Sequence, residues 1–143
     1  MKHFITKKLF SGNSSLEELL DYIRDKEELC IDIETTSKKI KHTTKYEGGL
    51  DPYLSEIIMF QIGDHLHQFI LDVRDFNLQE LKPLIDFLDK NEHCLFIIHN
   101  AKFECKFLKK HWNVNLIKIW DTMLAERILY NGLGYSNSLK SLI

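Results

Sequence analysis

The sequence predicts an α/β protein, one mixed sheet of about five strands with flanking helices. Three observations predict it. Segments with apolar residues at period two are interleaved with segments whose apolar residues recur at helical spacing. The order reads helix, strand, strand, strand, helix, strand, helix, strand, helix, which is a hairpin-linked meander followed by alternating units. The chain has 143 residues, 44% of them hydrophobic and 28% charged, which suits a single domain that buries its own core, such domains clustering at ~100–150 residues.

Residues 1–14 are polar and read as irregular. Ser15 followed by Glu18 matches a capping box, and Leu16, Leu19, Leu20 and Ile23 carry a first helix to about Lys26. In the next segment Leu29, Ile31 and Ile33 alternate with Cys30, Asp32 and Glu34, the period of a strand. Thr35 to Asp51 is a polar loop bearing Lys38, Lys39, Lys41, His42 and Lys45. Ile57 to Ile62 and His67 to Val73 read as a hairpin turning at Gly63-Asp64. Asn77 and Glu80 open a second helix with a Leu78, Leu81, Leu84, Ile85, Leu88 stripe. Leu95 to His99 is a nearly continuous apolar run, which places it centrally in the sheet. Asn100 caps a helix from Ala101 to about Lys110, Leu116 to Trp120 is a fifth strand, and Asp121 caps a helix through Tyr130. A last helical segment opens at Ser136.

Several classes are excluded. No stretch approaches the ~18 consecutive apolar residues of a membrane span, and the basic N-terminus is not followed by the apolar core of a secretory signal. Cys30, Cys94 and Cys105 are odd in number and lack CxxC spacing, as expected of reduced, mostly buried thiols in a cytoplasmic protein. The seven histidines form no HxxxH or HExxH pattern, which argues against zinc. A net charge of −2 is too acidic for a non-specific nucleic-acid binder, so any nucleic acid is engaged through a local site and metal ions. Trp112, Trp120 and the nine phenylalanines are expected in the core.

Two carboxylates at Asp32 and Glu34 share one face of a strand and repel each other. A divalent cation with a preference for hard oxygen ligands compensates such a pair; exposure on an edge strand is the alternative. Glu104 lies between Phe103 and Phe107 and has no basic residue three or four positions on, which points it toward the sheet end rather than to a solvated rim. Lys102, Lys106, Lys109 and Lys110 form a basic stripe on the same helix, read as surface solubility or as substrate contact.

Together these motifs resemble the DEDD 3′–5′ exonucleases, above all the proofreading domain of family A DNA polymerases, with ribonuclease D as a cousin. Ile31-Asp32-Ile33-Glu34-Thr35-Thr36 resembles the first motif, and Asp51 to Ser55 through Gln61-Ile62-Gly63 the second strand. His99 to Leu108 resembles the second motif, with Asn100 and Glu104 four apart. Trp120 to Leu124 resembles the Asp-Thr-Met helix start, and Ser138 to Leu142 the segment after it. The resemblance implies a ribonuclease H-like fold and two-metal hydrolysis of phosphodiesters at single-stranded DNA 3′ ends with Mg²⁺ or Mn²⁺. It implies Asp32, Glu34 and Glu104 as catalytic metal ligands, Thr35 and Asn100 beside the terminal nucleotide, and a helix-capping Asp121.

Two departures accompany it. The family's second-motif acid is Asp where this chain has Glu104, one methylene longer. Its fourth acid, in a Tyr-x-x-x-Asp or His-x-x-x-x-Asp motif after the Ser-Leu-Lys segment, has no counterpart here, since no Asp follows Asp121. The expectation is therefore a single exonuclease-like domain over residues 1–143, lacking its C-terminal helix and third motif, and associated with a DNA polymerase domain or a separate C-terminal chain. A catalytically impaired nucleic-acid-binding remnant and an RNA 3′-end trimming exonuclease are the alternatives.

Overall fold

The computed structural model describes residues 1–7, 13–39 and 46–131. The helix expected from Ser136, the Ser138–Leu142 motif and the basic side chains between Lys38 and Lys45 lie outside that description. The elements in order are β1 (Lys2–Ile5), α1 (Leu16–Ile23), β2 (Glu28–Thr35), β3 (Ser37–Lys39), β4 (Tyr46–Gly48), β5 (Ile57–Gly63), β6 (Gln68–Asp72), a 3₁₀ turn (Val73–Asp75), α2 (Leu78–Lys90), β7 (Leu95–Ile98), α3 (Ala101–Trp112), β8 (Ile119–Asp121) and α4 (Thr122–Leu129).

The main sheet runs β1-β6-β5-β2-β7-β8, with β3 and β4 as a separate hairpin. It is mixed: β2 and β6 pair antiparallel with β5, while β1–β6, β2–β7 and β7–β8 are parallel. Six strands stand where five were expected. The sixth is β1, in a stretch read as irregular. Four residues carry too little periodicity to announce a strand, and β1 exists because it pairs with β6 some 65 positions later. The β3–β4 hairpin arises within the long loop after Thr35 in the same way. The fifth strand begins at Ile119 rather than Leu116, and α1 ends at Ile23 rather than near Lys26.

One face of the sheet is the core. Registered rows such as Ile31–Ile62–Phe69 and Ile33–Phe60–Leu71–Ile5 are buried. The stripes of α1 (Leu19, Ile23), α2 (Leu81, Leu84, Leu88) and α3 (Phe107, Leu108, Trp112) join them in one cluster. Both expected capping boxes form, Ser15 with Glu18 and Asn77 with Glu80. The opposite face holds the row Trp120–Ile97–Cys30–Gly63–Gln68. On that face Cys30 and Trp120 are exposed, not buried as expected. Cys30 shares the parity of Asp32 on β2, and Trp120 is aligned with it through Ile97.

The β5–β6 hairpin closes on Asp64. Its carboxylate accepts from Tyr22 Oη (2.7 Å), Lys26 Nζ (2.8 Å) and the amides of Leu66 and His67 (both 2.9 Å). Burial acts to raise its pKa, yet these donors together outweigh burial and hold the carboxyl far below the usual range. Beside it, Gly63 is required by space. A Cβ there would lie 2.1 Å from the His67 carbonyl oxygen and 2.8 Å from Gln68 Cα, both backbone. Gly63→Ala is expected to cost about 2–3 kcal/mol by forcing the two strands apart, read as a lowered denaturant midpoint at unchanged m-value. A loss under about 0.5 kcal/mol, the scatter of neutral surface changes, would show that the turn yields freely.

Candidate active site at the sheet rim

Strand alternation places Asp32 and Glu34 on the solvent side of β2, with Leu29, Ile31 and Ile33 turned into the core. Gln61, registered opposite Asp32 on β5, donates its amide to Asp32 Oδ2 at 2.8 Å. Partial desolvation, then the neighbouring Glu34 charge, raises the Asp32 pKa. Asp32 and Gln61 border an open groove of about 560 Å³, which His99 and Thr122 close on the far side. His99 Nδ1 and the Thr122 hydroxyl are 3.0 Å apart.

Glu104 comes from α3, one turn into the helix. It is 4% exposed, and its Oε2 is buried with no hydrogen-bond partner. An orphaned carboxylate oxygen is rare, because burying a charge without compensation is costly. Burial, together with the charges of Asp32 and Asp121, pushes the Glu104 pKa up to about 7. Burial first, and then the charges of Glu104 and Asp121, also raise the Cys105 pKa. Glu104 is thus turned inward, within electrostatic reach of Asp32.

Asp121 does more than cap its own helix. Its carboxylate accepts from Met123 N (2.9 Å) and Leu124 N (3.2 Å), and also from Asn100 N (3.1 Å) and Ala101 N (2.9 Å) at the start of α3. Two helix N-termini therefore share one anion, which suits the partial positive charge at each. Asn100 adopts the left-handed conformation (φ 64°) and makes no side-chain cap, contrary to the expectation that it would cap α3. The partner that displaced it lies twenty-one residues later in sequence. Thr35 donates its hydroxyl to the Gly49 carbonyl at 2.5 Å, which ties the end of β2 to the following turn. Gln61 and the second role of Asp121 were missed by sequence reasoning. The turn at Gly63 registers Gln61 against Ile70 of β6, whereas its place across from Asp32 comes from the pairing of β5 with β2, which no local turn sets.

Among the described residues, no three His, Cys, Asp or Glu side chains are gathered into a ready-made metal cage. The residues nevertheless fit a divalent cation. Among the described residues, Glu104 presents a buried oxygen without a donor, the charges that act on it are those of Asp32 and Asp121, and the potential ligands are hard oxygens.

A family model described as 3′-5′ exonuclease matches residues 8–143. No curated protein matches the sequence. Among solved structures, Brucella melitensis NrnC with bound Mg²⁺ is similar at a TM-score of 0.66 and 18% identity, over 99% of this chain and 59% of that one. The catalytic core of RRP6 from Trypanosoma brucei gives 0.67 and 16%, over 91% and 31%. Trypanosoma brucei RNase D in complex with RNA U12 gives 0.61 and 12%, over 86% and 39%. At these identities the likeness shows a shared fold, the ribonuclease H-like one. The chain spans 31% to 59% of the length of these three.

Proposed function

This chain belongs to the 3′-5′ exonuclease family, and from that membership we propose that it removes nucleotides from single-stranded DNA 3′ ends, in a proofreading role beside a DNA polymerase. The observation that carries the reading is Glu104, a buried carboxylate with an unpartnered oxygen that feels the charge of Asp32. We assign Asp32, Glu34 and Glu104 to hold Mg²⁺ or Mn²⁺, two ions in the complete family site. Bound there, the metal would supply Lewis-acid activation of the attacking water and neutralise charge on the leaving 3′ oxygen. The amide of Gln61 holds Asp32 in one rotamer, and Asp121 fixes the start of α3 and so the position of Glu104. Thr35 and Asn100 are assigned to the terminal nucleotide. The extra methylene of Glu104 favours Mn²⁺, which tolerates irregular coordination better than Mg²⁺ with its near-ideal octahedron.

The fold shared with RNase D, seen in a complex with RNA, favours RNA as the second reading. A 5′-labelled single strand of either nucleic acid, incubated with Mn²⁺ or Mg²⁺, is expected to yield a ladder of shortened products, more on DNA. Asp32→Ala is expected to abolish the ladder and to lower Mn²⁺ binding in calorimetry. A ladder on RNA alone would select the second reading. No ladder on either strand, with Mn²⁺ bound equally by the wild type and Asp32→Ala, would refute the metal site and leave a nucleic-acid-binding remnant of the fold.

A further inference from the structure

Lys102, Lys106, Lys109 and Lys110 lie on one face of α3 and are all exposed. Among the described residues, none of the four is ion-paired: Lys109 donates to Asn113 Oδ1 (2.8 Å), and Lys110 sits 4.6 Å from the Tyr53 ring centroid. Four like charges on one face destabilise a helix, and the chain as a whole is net negative. The stripe faces the turn at Leu50–Tyr53 across an open groove of about 950 Å³, in which Asp51 is the sole acidic lining residue among the described residues. Tyr53 is 77% exposed, so its ring offers a flat apolar face at the groove's edge. Both walls lead back to the candidate site. α3 carries Glu104, and the turn is fastened to Thr35, beside Glu34, through Gly49.

We propose that this groove binds the sugar-phosphate backbone of single-stranded nucleic acid upstream of the 3′ end, with the four lysines neutralising phosphates and Tyr53 stacking a base. The stripe extends ~12 Å along the helix at ~1.5 Å per residue, the scale of a few nucleotides. The proposal rests on the exonuclease reading for direction and purpose, while the binding surface itself is separable from it.

The test is fluorescence anisotropy of a labelled single-stranded decamer with the full chain in EDTA, which prevents cleavage, over a salt series. The triple variant Lys106→Gln, Lys109→Gln, Lys110→Gln is compared with Lys82→Gln, Lys90→Gln on α2, and circular dichroism establishes that both fold. The triple variant is expected to flatten the slope of log affinity against log salt by about 2, at ~0.7 for each phosphate that is no longer neutralised, and to weaken binding roughly tenfold or more. The α2 pair is expected to leave both unchanged. Tyr53→Ala is expected to weaken binding about fivefold or more without altering the salt slope. Equal slopes for wild type and triple variant would overturn the proposal, as would failure of the wild type to bind the decamer. So would lysine-dependent binding to anionic vesicles in place of the oligonucleotide. Stripe-dependent binding without any laddering would sustain the groove and remove the exonuclease reading; laddering with stripe-independent binding would do the reverse.

Discussion

Glu104→Gln is expected to make the metal-free protein more stable at pH 8, by about 1–3 kcal/mol, while reducing exonuclease activity roughly a thousandfold or more, the several kcal/mol a metal supplies being divided by ~1.4 kcal/mol per decade. The stability gain follows from the buried carboxyl, whose pKa rises from 4.5 to about 7 on folding. A carboxyl with a raised folded pKa binds its proton more tightly when folded. Its penalty is absent below the unfolded value, grows as pH rises between the two values, and is complete above the folded one. At ~1.4 kcal/mol per pKa unit the full penalty is about 3 kcal/mol. Thermal melts of the metal-free wild type are therefore expected to fall between pH 5 and 8, and the Gln variant to flatten that decline. Saturating Mn²⁺ is expected to reverse the order, raising the wild-type melting temperature and leaving the variant unmoved. Parallel pH profiles for the two proteins would contradict the burial argument. A variant that still ladders DNA at wild-type rate would remove Glu104 from the site.

Asp121→Ala is expected to destabilise the protein by about 3 kcal/mol, because one carboxylate serves two helix starts. Losing a single cap costs ~1 kcal/mol, and hydrogen bonds to a charged acceptor contribute ~1.5–3 kcal/mol. Asp121→Asn keeps one oxygen acceptor and is expected to lose about half as much. Urea midpoints read the difference directly. Since Asn100 N and Ala101 N anchor the helix that carries Glu104, cleavage is expected to fall with stability in both variants. A cost below about 0.5 kcal/mol for the alanine change would show that water replaces the carboxylate at both helix ends.

Much of this architecture is written in short-range pattern. The alternation from Leu29 to Glu34 predicts β2 and its two faces, because a strand's period is two residues and the pattern persists over six. The capping residues Ser15 and Asn77 announce α1 and α2 through bonds spanning three residues. The inward turn of Glu104 is present in its helical phase with Phe107 and Leu108. What was illegible depends on distant partners. β1 is a strand only because of β6, and Asn100 yields its capping role to a carboxylate twenty-one positions away. Trp120 and Cys30 were expected inside on residue type, but strand parity overrides type. Paired through Ile97, they lie on the face that no described helix stripe buries.

The antiparallel register of β2 against β5 sets Ile31 beside Ile62, Asp32 beside Gln61 and Ile33 beside Phe60. Sliding β2 by a single position would drive Asp32 and Glu34 into the apolar interior and expel Ile31 and Ile33 into water. Misalignment of the acids is thus penalised by the oil-like side chains between them, whether or not any ion is bound. The accuracy with which this protein presents its acids is borrowed from hydrophobic residues that never meet a substrate.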